Sequence, residues 1–371
     1  LQTAKRQTSE TDIPDATKDY VVHPAFTNES NIGYVNGGWK KELTGIWVSK
    51  FEAGYAGGNN NADKVDSNVN YSQSTSWVWS GEAGTASDSS QPARNFYEVY
   101  GSKTTAIKYP TFQGLTYSMN YINQSDAFSI SRALTDDNNI YKLSNKETDS
   151  HLIKNSEWGA VSYLGQSQYG LNGTNICINN LNINNGEEYV YAKTGYASKN
   201  GNDSGSTNST NDVWKWNEKN GTAASCTGTI YGIYDMSGGT WERSAAIINN
   251  SANYSNGGNL NTYGKAIMNA LNNGKSSEYV TVYDVSKSGD SGSNNWTANT
   301  KYGDAIRETS SGSENKYSWY HDYSYFPTGG VLFFLRGGYC WDNEVAGLFC
   351  FHRTDGSSGY SLGFRSVLVA Q

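Results

Sequence analysis

The stretch that most constrains this chain is its closing segment, Leu335 to Val369, LRGGYCWDNEVAGLFCFHRTDGSSGYSLGFRSVLV. Arg336-Gly337-Gly338 opens it, and Leu362-Gly363-Phe364-Arg365 with the apolar Val367, Leu368 and Val369 closes it. Between these ends Tyr, Cys, Trp, Asp, Asn, His, Arg and Thr alternate without a helical or strand period. Glycines recur at 347, 356 and 359, where a backbone must turn tightly. A non-periodic loop rich in aromatic and polar residues, held between two rigid ends, reads as a displayed binding surface.

Composition narrows the class. With 371 residues the chain is long enough for a sizeable core. Aromatic residues make up 13% and charged residues only 17%, too aromatic for disorder and too weakly charged for a typical cytosolic enzyme. Abundant Gly, Asn, Ser and Tyr with 5 Pro suggests a loop-rich protein of extracellular type. A net charge of −7 argues against nucleic acid as a partner, because phosphate binding needs a basic patch. No apolar run reaches membrane-spanning length, so membrane insertion is not expected. The four cysteines, Cys177, Cys226, Cys340 and Cys350, show no metal-ligand spacing. Cys177 and Cys226 are open to pairing in an oxidising compartment.

Along the chain, residues 1–19 are polar and read as an arm or linker, with one domain from 20 to 371. Leu43 to Glu52 has the β-branched and aromatic content of a strand. Residues 54–95 and 170–222 read as Gly/Asn/Ser-rich surface excursions, and 250–300 as polar loops. Leu115 to Leu134 carries helical spacing, interrupted near 123–125. Asn155 to Leu164 predicts a second helix, capped by Asn155 or Ser156 and burying Trp158, Val161 and Leu164. His321 and Asp322, in the aromatic run Trp319 to Phe326, read as part of a packed layer.

Three motifs appear in a fixed order: HLIKNSEWGAVSYL (151–164), GIYDMSGGTWE (232–242) and RGG…LGFR (336–365). Together they resemble the formylglycine-generating-enzyme-like branch of the C-type lectin fold, the middle one being similar to that family's YDMxGNxWEW turn. Within that branch the irregular final loop looks like the variable proteins of diversity-generating retroelements, ligand-binding proteins of phages, prophages and bacteria. Their terminal repeat is rewritten by a reverse transcriptase that mutates template adenines. The resemblance implies an α+β, loop-rich domain with small antiparallel sheets and two helices. In it an N-terminal strand, here 45–52, pairs with a C-terminal one, here 363–369. It leaves a structural calcium open and implies no other cofactor. The implied partner is a protein or glycan receptor on a host or neighbouring cell, met from a virion tail or bacterial surface.

Codon arithmetic bears on the narrower likeness. Replacing the two adenines of AAC never yields Lys, Glu, Gln, Met or Trp, and none of these occurs from Val345 to Phe364. On this reading the ligand-contacting set of the variable region is Tyr339, Cys340, Trp341, Asp342, Asn343, Val345, Cys350, His352, Arg353, Thr354, Asp355, Ser357, Tyr360 and Ser361, with Trp341, like Glu344, encoded by the template or drawn from a different codon. Arg336, Trp241, Glu242, Phe364 and Arg365 form the scaffold. The two arginines are expected to anchor the loop on carbonyls or on acids such as Glu242. A loop rewritten wholesale contributes little to folding, so Tyr339, His352, Arg353, Asp355 and Tyr360 are expected to face solvent as one patch. His352 is also a source of pH-dependent binding.

Catalysis finds little footing. The wider family includes an oxygen-dependent cysteine oxidase whose paired cysteines stand five residues apart, whereas Cys340 and Cys350 are ten apart. The histidines, His23, His151, His321 and His352, make no HExxH spacing, and no GxSxG or phosphate-cradling glycine loop is present. Asp235 and Glu242 are better placed to brace the DMSGGTWE turn than to act as an acid/base pair. The expected outcome is no copper- or oxygen-dependent oxidation of a cysteine peptide. Turnover that vanishes in Cys340→Ser or Cys350→Ser would show the opposite.

Overall fold

The computed structural model describes residues 2–4, 20–27, 38–54, 110–120, 122–136, 141–183, 191–201, 205–249, 258–271, 277–285 and 291–370. In chain order the strands are β1 (Gln2–Ala4), β2 (Tyr20–Val22), β3 (Trp47–Val48), β4 (Thr148–Leu152), β5 (Asn182–Ile183), β6 (Tyr191–Ala192), β7 (Tyr196–Ser198) and β8 (Val213–Lys215). They continue with β9 (Trp241–Asn249), β10 (Thr281–Asp284), β11 (Lys316–Tyr317), β12 (Tyr323–Ser324), β13 (Phe333–Gly337), β14 (Gly347–Thr354), β15 (Leu362–Phe364) and β16 (Ser366–Ala370). The described helices are α1 (Gln124–Arg132), α2 (Asn155–Gln166), α3 (Asn259–Tyr263), α4 (Lys265–Ala270) and α5 (Gly292–Ala298). Among the described residues five helices stand where two were expected, because α3, α4 and α5 lie in the stretch read as polar loops.

The periodic run 115–134 does not form one helix. Leu115 has φ 70°, and Tyr117 and Ser118 bridge in extended form to Lys193 and Gly54. The helix begins only where Asn123 caps it, its Oδ1 accepting the Asp126 N–H at 2.8 Å. Asp126 in the first turn and Arg132 in the last suit the helix dipole. The second expected helix is present as α2. Its cap is Lys154 rather than Asn155 or Ser156, and Glu157 closes the first turn by accepting the Lys154 N–H at 2.8 Å. Trp158 and Val161 are buried, whereas Leu164 is half-buried.

β9 is buried along nearly its whole length and is the hub of a seven-stranded sheet ordered β10-β9-β13-β14-β12-β11. β13 runs antiparallel to both β9 and β14. The other edge of β9 is shared: β15 pairs with its first residues and β10 with its last, both parallel. β12 also meets β14 in parallel. The sheet is therefore mixed, which corrects the expectation of antiparallel sheets alone. A second sheet, β3-β16-β4, places the final strand between two earlier ones. Val367 pairs with Val48 and Leu368 with Trp47, so the implied pairing of N- and C-terminal strands is present.

Three readings of loop change. Residues 347–354, expected within an irregular loop, form β14, a strand covered on both faces, which shows no alternation of apolar and polar residues. The stretch 170–222 is not a simple excursion, since it carries β5 to β8 and buries Ile176, Ile178, Leu181, Tyr196 and Val213. In the polar arm, β1 pairs with β2, while residues 5–19 lie outside the described residues. So does nearly all of the 54–95 excursion.

The main core joins Ala245 to Ile248 of β9 with Phe333, Phe334, Phe351 and Phe364, and α1 covers it with Ala127, Phe128 and Ile130. Phe364 is fully buried there. Phe364→Ala should cost about 3–5 kcal/mol, as for other large aromatic truncations in cores. A melting temperature equal to that of the parent chain would show that this residue does not seal the core.

Candidate ligand-binding surface

The Arg336–Arg365 segment is fixed at both ends by buried guanidinium groups. Arg365 forms a two-pronged pair with Glu242, Nε to Oε2 at 2.6 Å and Nη2 to Oε1. It also donates to the carbonyls of Tyr234 (3.0 Å) and Ser49 (3.2 Å). Arg336 donates to main-chain carbonyls, Cys350 at 3.1 Å, Asp304 at 2.9 Å and Ala305 at 3.2 Å. Both guanidiniums lie near the Trp158 ring, at 5.5 and 5.7 Å from its centre. The Trp158 indole N–H donates to the Leu348 carbonyl on β14 at 2.8 Å. The expected anchoring on carbonyls and on Glu242 is what the structure contains.

Asp235 and Glu242 divide their tasks. Asp235, at φ 61°, accepts the Asn179 side-chain N–H and the Gly195 N–H, each at 2.8 Å, and so braces the turn against 179–195. Burial lifts its carboxyl to about 6. Glu242 faces Arg365 instead of the turn. A third acid, Glu52, went unnoticed in the sequence. It lies fully buried and accepts from Ser118, from the Thr240 hydroxyl and from the Thr240 N–H at 3.1 Å. Burial first, then the charges of Asp235 and Glu242, hold it well above the ordinary glutamate range.

The outer side of β9, β13, β14 and β12 carries an aromatic cluster centred on His352. Its ring lies 5.3 Å from Trp241, 5.5 Å from Tyr323 in a stacked arrangement and 5.3 Å from Tyr325. His352 Nδ1 lies 2.8 Å from the Arg353 carbonyl, which requires the proton on Nδ1 and leaves Nε2 an acceptor. Burial, and secondly the Arg353 charge, lower its pKa, so pH dependence from this residue falls below the ordinary histidine range. Arg353 lies over the Tyr325 ring at 3.9 Å and donates to its hydroxyl (2.5 Å) and to Thr328 Oγ1 (2.9 Å). Tyr339 packs on Trp241, Leu335 and Cys350.

The other variable positions follow the chain around this cluster. Trp341 is the most exposed aromatic of the segment, at 39%. Asp342, Asn343 and Val345 are half-buried in the turn after it. Asp342 accepts the Tyr339 N–H at 2.9 Å, and burial raises its carboxyl to about 7. Asp355 accepts from the Ser357 N–H and hydroxyl at 2.9 and 2.6 Å. The Ser357 carbonyl takes the buried Arg243 guanidinium, and the Tyr360 carbonyl takes Asn120 Nδ2 at 2.6 Å. Ser361 accepts the Trp241 N–H through its carbonyl at 2.8 Å.

These placements correct the expected set. Cys340, Cys350 and Thr354 are buried, so their side chains pack inside rather than contact a ligand. Tyr339, His352, Arg353, Asp355 and Tyr360 are half-buried rather than fully solvent-facing. Their strand and turn are sealed by Trp241, by the 323–325 tyrosines and by Arg243, so replacing all five with serine would strip packing from the fold. Tyr323, Tyr325 and Arg243 were missed as members of the site. The Tyr-x-Tyr spacing of 323 and 325 was their only signal in the sequence. His321, read as packed, is exposed, whereas Asp322 is buried. All four cysteines are free, so Cys177 and Cys226 do not pair. Among the described residues no group of three His, Cys, Asp or Glu could hold a metal.

Asp322 yields a pH test. Its Oδ2 accepts the Phe349 N–H at 2.8 Å, while Oδ1 is buried without a partner. Burial pushes the carboxyl up to about 8. A carboxyl raised on folding contributes stability that is present below its unfolded pKa, near 4, and is lost as pH rises through the folded value. The melting temperature of Asp322→Asn should therefore gain on the parent between pH 5 and pH 8. Parallel melting curves over that window would contradict the assignment.

No protein-family model and no curated protein matches the chain.

Proposed function

We propose that the chain is a non-catalytic ligand-binding protein of the retroelement-diversified kind, with a C-type-lectin-like fold, and that the Arg336–Arg365 segment is its recognition surface. The observation that carries this reading is the separation of anchor from display. Arg336 is held by main-chain carbonyls, and Arg365 by Glu242 and two further carbonyls. None of these bonds depends on which side chains stand at 341–345 or 355–361. Between the anchors, Trp341 projects outward and Tyr339, Asn343, His352, Arg353 and Ser361 keep part of their surface in solvent. Rigid aromatic groups beside adaptable polar ones are the usual chemistry of a paratope.

Binding is favoured over catalysis by the state of the thiols. Burial holds Cys340 and Cys350 well above the ordinary thiol range, so neither supplies the thiolate that cysteine chemistry needs. The ligand is a protein or glycan receptor on a host or neighbouring cell, and the site of display is a virion tail or bacterial surface. No helix among the described residues is long and apolar enough to cross a membrane.

Sequencing the coding region and its downstream flank from many clones of one population tests the reading. Differences should fall within 339–361, at adenine-bearing codons, beside a reverse-transcriptase gene and a near-copy of the 3′ end. Clones that vary evenly along the chain would sink it. In the protein, the combined variant Trp341→Ala, Ser361→Ala should fold with stability within roughly 0.5 kcal/mol of the parent per site. Ligand capture should be lost. A large fall in melting temperature would mean that these positions are structural.

A further inference from the structure

The hairpin of β11 and β12 lies outside the Arg336–Arg365 segment, yet it presents aromatic rings to solvent. Tyr317 is 41% exposed, Trp319 47% and Tyr320 37%. The turn between the strands holds two bulky residues in succession in the left-handed region, Tyr320 at φ 62° and His321 at φ 74°. Side chains with a Cβ disfavour this backbone, so tertiary contacts must maintain it. Ser318 N–H donates to the Asp322 carbonyl at 2.7 Å and closes the turn. The Tyr320 hydroxyl lies 2.5 Å from Gln166 Oε1 and 2.7 Å from the Gly173 carbonyl, at the end of α2. Trp319 packs on Phe349 at 5.0 Å, and Tyr317 stacks on His321 at 3.6 Å. The rings are thereby fixed before any ligand arrives, which lowers the entropic cost of binding.

We propose that Tyr317, Trp319, Tyr320 and His321 form a second binding ledge, outside the Arg336–Arg365 segment, that takes a neutral glycan. The Tyr320 hydroxyl is consumed internally, so that residue offers a ring face. Aromatic faces are electron-rich and accept the weakly positive C–H face of a pyranose. Hydrogen-bonding groups for sugar hydroxyls stand alongside, in the Gln166 and Asn315 amides. The two nearby charges, Glu314 and Lys316, are of opposite sign, and the chain carries −7, which disfavours nucleic acid, anionic lipid and sulfated or sialylated glycans. Protein-binding hot spots draw on Trp, Tyr and Arg together, and here the arginine is missing: the stretch Lys316 to His321, KYSWYH, contains none.

Affinity electrophoresis of the whole chain tests the ledge, in native gels containing a soluble neutral β-glucan, a mannan or a galactan. At least one should retard the parent protein. Tyr317→Ala with Trp319→Ala should weaken that retardation at least tenfold in apparent Kd in a protein that melts lower than the parent but is still fully folded at the temperature of the gel. Tyr231→Ala, which removes a remote exposed tyrosine, should behave like the parent. The proposal is overturned by retardation in none of the three gels, or by equal retardation of the double variant. It is also overturned if the double variant loses capture of a protein ligand while polysaccharide has no effect. Clonal variation in 339–361 bears only on the other surface, so the two readings fail separately.

Discussion

The pair between Arg365 and Glu242 is the interaction on which the rest of the structure leans. It is fully buried, and its two members come from β9 and from the link between β15 and β16. Two charges so deep in a protein are tolerable only with good geometry and with every remaining donor satisfied. The geometry is two-pronged, and Arg365 spends two further N–H groups on the carbonyls of Tyr234 and Ser49. Those partners belong to the central turn and to the segment after β3. One guanidinium thus ties together the start of the domain, the central turn, the hub strand and the C-terminus. Arg336 repeats the device beside Trp158, tying β13 to β14 and to 304–305.

This arrangement explains how the sheet can hold a chemically diverse segment. The ties to the segment's ends run mostly to main-chain carbonyls, which every residue supplies equally. The hub strand is protected as well, since β13 covers one edge and β15 and β10 divide the other. Side chains at the surface then decide contact more than topology. The separation is incomplete, because His352, Arg353 and Tyr339 also pack among Trp241, Tyr323 and Tyr325. Side chains on β14 are therefore restrained by packing in a way that those of Trp341 and Ser361 are not.

The acids near the hub add a further constraint. Glu52 and Asp235 stand close to the one guanidinium already engaged by Glu242, and burial raises both carboxyls. Burial and the neighbouring acids push the Glu52 carboxyl up, and the bonds it accepts from Ser118 and Thr240 oppose that shift in part. Gly239, at φ 71°, leaves the room this carboxyl needs, since a Cβ there would fall 2.8 Å from its Oε1.

The sequence by itself determined the parts governed by local chemistry. The helix expected over 155–164 was legible from its apolar spacing and runs to Gln166, the strand expected over 45–52 is formed only at Trp47–Val48, and the anchoring arginines were legible from their place beside glycine turns. Other features depended on neighbours that no local window contains. Residues 347–354 read as irregular because a strand covered on both faces loses its alternation. Leu115 to Ile122 read as helix because its spacing fits both periods, and only pairing with 54 and 193 selected the extended form. Glu52 and Arg243 carried no motif, as their burial arises from residues 66 to 188 positions away. Which side chains of the closing segment reach solvent was likewise a tertiary decision. Exposure of a strand residue is set by what lies across the sheet, and for His352 that is Trp241, Tyr323 and Tyr325.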